Sequence, residues 1–153
     1  MHIDPEKAKA LPFRPIEAEI ERGRLRFFAK AIGQRDPVYS DIEAARRAGH
    51  PDLPVPPTFF FSLEIDDPGS LSFLAELDID LGRILHGEQS FTYHSLAYAG
   101  ETLMLQPKIT DVYSKKGGAL QFLVKRTDIT RLTGEPVAEA TFSLAISHPE
   151  VRA

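Results

Sequence analysis

From Ala138 onward the chain alternates without a slip, with Ala138, Ala140, Phe142, Leu144 and Ile146 on one side and Glu139, Thr141, Ser143, Ala145 and Ser147 on the other. Successive side chains leave a β-strand on opposite faces, so this period of two predicts a strand with one face turned to a core. Such a strand needs paired neighbours and an apolar layer to lie against. Leu120, Phe122 and Val124 begin a second strand of the same kind, and residues 88–94 and 102–113 supply two more. Ser114 to Gly118 and Thr133-Gly134-Glu135 read as hairpin connections. Residues 13–19 form a short candidate strand interrupted by Pro15, which brings the expected sheet to about five strands.

The helices come earlier. Leu25, Phe28, Ala29 and Ile32 fall at i, i+3, i+4 and i+7, a single helical stripe, and Gly33 follows as a left-handed stop. Ser40-Asp41-Ile42-Glu43 has the form of a capping box in which the Ser40 hydroxyl and the Glu43 side chain satisfy each other's backbone amides. Ala44, Ala45 and Ala48 fill the helix that follows and Gly49 ends it. Pro51, Pro54, Pro56 and Pro57 then impose an extended connection. Thr58 is a candidate N-cap for the apolar run Phe59-Phe60-Phe61-Ser62-Leu63, read as a buried helix, and residues 71–77 with 80–84 form a short helical excursion. Helices first and strands last predict an α+β fold with an antiparallel sheet, helices on one face and no parallel crossover units.

A chain of 153 residues holds one domain, with residues 1–12 read as a solvated tail, 13–147 as the domain and 148–153 as a second tail. The net charge of -4, with basic residues scattered, argues against a nucleic-acid partner. The absence of cysteine excludes a disulfide framework, a zinc ribbon and a thiol nucleophile. Charges and prolines occupy the N-terminus where a signal peptide needs an apolar core, and no stretch approaches the ~20 apolar residues of a membrane span, so the cytoplasm is the expected location. No G-x-S-x-G elbow, Walker loop, G-x-G-x-x-G or H-E-x-x-H occurs. His86 and His94 are the nearest pair of histidines, but without a third ligand no metal site is expected.

Several segments together resemble the MaoC-like dehydratases and hydratases. They are Ala31-Ile32-Gly33-Gln34-Arg35-Asp36-Pro37-Val38-Tyr39-Ser40-Asp41 with Glu43, Ala44, Ala45 and Gly49; Leu53-Pro54-Val55-Pro56-Pro57-Thr58-Phe59; Leu85-His86-Gly87-Glu88-Gln89 with Phe91 and Tyr93; and Ala99-Gly100-Glu101-Thr102-Leu103. Their order and spacing are most similar to the N-terminal half-domain of two-domain members. The resemblance implies a hot-dog fold, in which an antiparallel sheet wraps around a central helix and pairs with a second hot dog. It also implies hydration of a trans-2-enoyl thioester of coenzyme A or acyl carrier protein, or dehydration of the (R)-3-hydroxyacyl thioester, without a cofactor.

The catalytic pair of that family is an aspartate and a histidine spaced as D-x-N-P-hydrophobic-H. At the matching positions this chain has Gln34 and Tyr39. Adding water to an enoyl thioester requires a base for the water and an acid for the α-carbon, with amide donors polarising the thioester oxygen. An amide cannot exchange that proton near neutral pH, and a phenol, with a reference pKa of about 10, is a poor base. Asp36, which stands where the family has asparagine, reads as an Asx turn before Pro37, and Tyr39 as a hydrophobic staple onto Ala44. The catalytic residues are therefore unknown at this stage. Thr58 and Phe59 are the expected amide donors, with His86, Gly87 and Gln89 lining the substrate channel and Glu88 a further titratable group beside them.

Three functions follow. The first is a hydro-lyase component that shapes the acyl-thioester channel and forms a heterodimer with a catalytic hot-dog subunit. The second is a homodimeric hot-dog thioesterase with Glu64 as its carboxylate, and the third is a non-catalytic acyl-thioester binding module.

Overall fold

The computed structural model describes residues 2–149. The alternating C-terminal segment forms β5 (Pro136–Ser147), and β4 (Leu120–Arg131), β3 (Thr102–Lys115), β2 (Ile84–Tyr93) and β1 (Ile16–Glu19) complete the sheet. All pairings are antiparallel and the strand order is β1-β3-β4-β5-β2, which leaves β1 and β2 as edges. Ala138, Ala140, Phe142, Leu144 and Ile146 are all buried, as the alternation requires.

β4 presents the opposite face to the one its apolar residues suggest. Gln121, Leu123, Lys125, Thr127 and Ile129 point into the core, while Leu120, Phe122 and Val124 lie on the convex side and stay half-buried. Phe122 stacks there on Tyr113 at 5.1 Å. The inward register is held because each buried polar group has a partner. Gln121 exchanges hydrogen bonds with the Ile3 backbone at 2.7 and 2.8 Å, and Lys125 and Thr127 both bind Glu64.

The helices cover the concave face. α1 (Pro5–Lys9) is capped by Asp4, whose carboxylate accepts from the Glu6 and Lys7 amides, and it buries Ala8. The expected solvated tail is thus a packed segment, because Ile3 satisfies buried Gln121 while Ile3 and Ala8 join the core. At the other end the expected tail also starts late: His148 is buried, its amide donates to the Ala119 carbonyl at 2.9 Å, and His2 stacks on it. Residues 150–153 lie outside the described part.

α2 (Arg22–Ala31) buries Leu25 and Ala29 and ends at Gly33, whose φ of 74° is the left-handed stop that its position predicts; Ile32 is exposed. α3 (Ile42–Arg47) starts one residue later than the capping box suggests. Asp41 is its N-cap, accepting from the Glu43 amide at 2.9 Å, and Glu43 pairs with Arg46. Ser40 is withdrawn from that role because its amide closes a 3-10 turn over Pro37–Tyr39 and its carbonyl accepts from Arg26 Nε at 2.8 Å.

α4 (Phe60–Ile65) is the central helix and buries Phe60, Leu63 and Glu64. A 3-10 turn over Pro57–Phe59 precedes it, so Thr58 is inside that turn and its side chain caps nothing. α5 (Ser72–Glu76) and a 3-10 turn at Leu81–Arg83 complete the excursion and lead into β2.

The core has two apolar clusters. One gathers α2, α3, the start of α4, β1 and the Ile129, Ala138 and Ala140 end of the sheet; the other gathers α1, α5 and the Leu123, Phe142 and Leu144 end. Between them on β4 stand Lys125 and Thr127.

Candidate functional site

A cavity of about 240 Å³ lies between α4, α5 and the concave face of the sheet. Its walls are almost wholly apolar. Phe61 and Leu74 stand on the helical side, Ile84, Phe142 and Leu144 on the sheet, and Ile65, Leu71 and Leu81 at the solvent-exposed rim. The inner wall is different. Glu64 and Lys125 are 6% and 2% exposed, and both reach the cavity.

Glu64 leaves α4 toward β4 because it sits one residue after Leu63 on the buried helical face, where it meets the inward-facing Lys125 and Thr127. One carboxylate oxygen accepts from Lys125 Nζ and the other from the Thr127 hydroxyl. Three rings, Phe13, Phe73 and Phe142, surround the ammonium at 5.5, 5.1 and 5.2 Å from their centroids. A buried charge needs such pairing, since desolvation of an isolated ammonium or carboxylate costs several kcal/mol or more. Glu64 is therefore held on both oxygens rather than free as a base or nucleophile.

His86 is at the cavity. Its ring lies parallel to Phe61 at 6.0 Å and edge-on to Phe142 at 5.9 Å. Gly87 follows at a bulge where the β2–β5 register shifts between His86 and Glu88. A Cβ at Gly87 would sit 3.2 Å from Ser143 Oγ and 3.3 Å from the Ser143 carbonyl, so the close approach of β5 selects glycine here. The bulge also places His86 on the concave side, opposite Leu144, whereas His94 turns to the convex side and binds Glu139 at 2.9 Å. Gln89 pairs with Phe142 in the register; its amide nitrogen donates to the Thr141 carbonyl at 3.2 Å, and its buried side-chain oxygen has no protein partner.

Phe59, Phe60 and Phe61 diverge. Phe59 packs edge-on to Phe28 at 5.2 Å in the core, Phe60 is buried toward Tyr93, and Phe61 alone of the three lines the cavity. The Phe59 amide donates to the Pro56 carbonyl at 2.9 Å, so it is engaged in the 3-10 turn instead of being a free donor, while Thr58 is exposed.

Gln34 and Tyr39 do not reach the cavity. The Gln34 side-chain oxygen accepts from the Asp36 amide at 3.0 Å, and Asp36 accepts from the Val38 amide at 3.1 Å, the Asx turn its place before Pro37 predicts. Tyr39 is half-buried in the turn that follows. Beside this segment, Arg22 grips Asp52 through Nε at 3.0 Å and ties α2 to the proline-rich connection. That hydrogen bond holds the Asp52 carboxyl below the usual carboxylate range.

Lys125 and Thr127 are the site residues that the sequence reading missed. They share a face with Leu123 and Ile129, but Leu120, Phe122 and Val124 put apolar residues on the other face as well, so the strand's own pattern leaves the inward side undecided and polarity argues for the outside.

No helix among the described residues is long and apolar enough to cross a membrane. The chain is 36% identical over 126 residues, 82% of its length and 80% of theirs, to a UPF0336 protein of Saccharopolyspora erythraea. It is 37% identical over 129 residues to one of Parafrankia sp., covering 84% of each chain. Among solved structures it is similar to the ChsH1-ChsH2 complex of Mycobacterium tuberculosis, with 26% identity, a TM-score of 0.74 and coverage of 94% of this chain and 92% of that one. The HadBC (3R-hydroxyacyl-ACP dehydratase) complex of the same organism matches with 26% identity, a TM-score of 0.72 and coverage of 88% and 98%. A MaoC-like dehydratase from Phytophthora capsici, 21% identical, shares the fold at a TM-score of 0.80 over 96% of this chain and 51% of that one. The family model for the FAS1-like dehydratase domain region matches residues 7–140, and the chain belongs to that family, with the hot-dog fold of the MaoC-like dehydratases.

Proposed function

We propose that this chain is the acyl-holding half of a hydro-lyase acting on enoyl or (R)-3-hydroxyacyl thioesters, and that a second hot-dog subunit supplies the aspartate and histidine. One observation carries the reading. In the resemblance to the MaoC-like family Gln34 and Tyr39 stand at the dyad positions, and the Gln34 oxygen accepts from the Asp36 amide, while an apolar cavity lies beneath α4. The chain can hold and orient an acyl group but has no group at those positions to move a proton.

The two structures named as complexes, ChsH1-ChsH2 and HadBC, support assembly with a partner. Among the described residues the ten-residue edge strand β2 has no strand on its outer side, and Leu81, Leu85, Tyr93 and Leu96 are exposed along it and beside it. An edge of that length is one that proteins cover. His86 at the cavity, the bulge at Gly87 and Gln89 lie on the same strand, so the partner would close the channel along them. Thr58 is exposed ahead of α4, and its amide is the donor assigned to the thioester oxygen. The thioesterase alternative has less support, because Lys125 and Thr127 take both oxygens of Glu64.

The test is hydration of crotonyl-coenzyme A and of longer enoyl thioesters by the chain alone and after co-expression with a MaoC-like subunit bearing D-x-N-P-x-H from the same organism. Background rates alone and a rise of ~10²-fold or more in a co-purifying complex are expected, the range that a restored general acid-base group contributes. Full activity of the isolated chain refutes the reading, and binding without turnover with every partner returns the binding-module function.

A further inference from the structure

Holding an acyl chain requires only the apolar walls of the cavity, and its inner wall carries more. Lys125 has a single oxygen partner among the described residues, one carboxylate oxygen of Glu64, and three phenyl rings lie around its ammonium. An ammonium has three donors and no acceptor, so rings attract the charge but leave N–H groups without an oxygen. Glu64 accepts from Lys125 and from Thr127, and a carboxylate offers about four lone-pair sites, so it has acceptor capacity left. Both residues line the cavity, and both are more than nine-tenths buried. The rim residues Ile65, Leu71 and Leu81 are exposed, so the pair is at the inner end of an apolar passage.

A donor and an acceptor side by side at the end of such a passage match one functional group. A hydroxyl can accept from the ammonium and donate to the carboxylate at once. A second carboxylate would face Glu64, an amine would face Lys125, and a methyl group would leave both without a hydrogen bond. The cavity of about 240 Å³ corresponds to about eight water-sized groups at ~30 Å³ each.

We propose that the cavity receives an acyl tail of about eight carbons that carries a hydroxyl at its far end, with the hydroxyl oxygen accepting from Lys125 Nζ and its proton directed to Glu64. The tether to a thioester rests on the function proposed above; the recognition of the hydroxyl rests on the cavity alone.

The experiment is calorimetric titration of the full chain with octanoyl and 8-hydroxyoctanoyl N-acetylcysteamine thioesters, and with the two corresponding methyl esters. A hydrogen bond to a charged group predicts roughly ten- to hundred-fold tighter binding of the hydroxylated member of each pair. Glu64→Leu with Lys125→Met and Thr127→Val, an apolar replacement of the whole cluster, should abolish the preference and bring the hydroxylated and plain members of each pair to the same affinity, and a preference retained in that variant overturns the inference. Equal or tighter binding of the plain thioester to the unmodified chain overturns the inference and leaves the acyl-holding function standing. A hydroxyl preference among methyl esters with no binding of either thioester keeps the inference and removes that function. Failure of all four compounds to bind overturns the inference.

Discussion

Breaking the Glu64–Lys125 pair from one side should be far more damaging than removing it whole. Lys125→Met leaves a carboxylate 6% exposed with only the Thr127 hydroxyl as partner, and Glu64→Leu leaves an ammonium 2% exposed among phenyl rings. Stranding one member of a buried pair costs about 3–5 kcal/mol, whereas replacing the pair by apolar residues of similar volume is often neutral or stabilising. Glu64→Leu with Lys125→Met alone would orphan the Thr127 hydroxyl, a penalty of about 1–3 kcal/mol, so Thr127→Val completes the comparison. Each single variant should therefore melt roughly 6–20 °C below the parent, at ~2–4 °C per kcal/mol for a domain of this size. The triple variant should come within about 1 kcal/mol of the parent or exceed it. Thermal melts and urea unfolding followed by circular dichroism at fixed protein concentration measure all four proteins, since association would shift the apparent stability. Single variants that lose less than about 1 kcal/mol, or a triple variant as unstable as Lys125→Met, would refute the argument that the pair is desolvated and coupled.

Introducing the dyad by Gln34→Asp with Tyr39→His should raise enoyl-thioester hydration by the isolated chain, measured by loss of enoyl absorbance, while either change alone does little because the two groups act as a unit. Gly87→Ala should lower stability by about 1–3 kcal/mol in thermal melts, because its Cβ meets Ser143, and Ser143→Ala should restore part of the loss by removing the hydroxyl contact but not the carbonyl one. Asp52 is held low by its hydrogen bond from Arg22; for Asp128 burial pushes upward, but hydrogen bonds from Lys108 and Arg126 outweigh it and the carboxyl also stays low. Their stabilisation is complete above the unfolded-chain value of ~3.9 and is lost as the pH falls through the lower folded values, so Asp52→Asn should lower stability at neutral pH, flatten the acid limb of a stability-against-pH curve and converge on the parent at low pH. Sedimentation should show a species larger than 17.0 kDa at micromolar concentration, and Leu85→Lys on the β2 edge should shift it toward the monomer.

The elements that the sequence predicts are those whose pattern is local. The run from Ala138 to Ile146 declares its buried face by alternation alone, and α2 declares its end through Gly33. Ser40 and Asp41 are both good caps, and Asp41 takes the role where the Ser40 amide closes the preceding 3-10 turn and the Ser40 carbonyl accepts from Arg26, a residue on another helix. The face of β4 was illegible for the same kind of reason. Nothing within residues 120–131 says that Lys125 and Thr127 are inside; their counter-charge, Glu64, is 61 and 63 positions away. Gln34 and Tyr39 are legible as local motif positions, while the polar wall of the cavity depends on tertiary pairing.

The polar cluster between the two apolar clusters also bears on how the domain opens. One cluster takes Ile16 to Leu63 with the Ile129 end of the sheet, and the other takes Ile3, Ala8, the Phe73 to Ile79 segment and the Leu123 end. Water can enter along the cluster of charges at little cost compared with entry between methyl groups, so the two sides can open as separate cooperative units. Amides of α1 and α5 should then exchange with deuterium through an opening that leaves α2 and α3 protected. In the variant with the apolar replacement the two sides become one continuous core, and the amides of both should exchange only through a single, global opening.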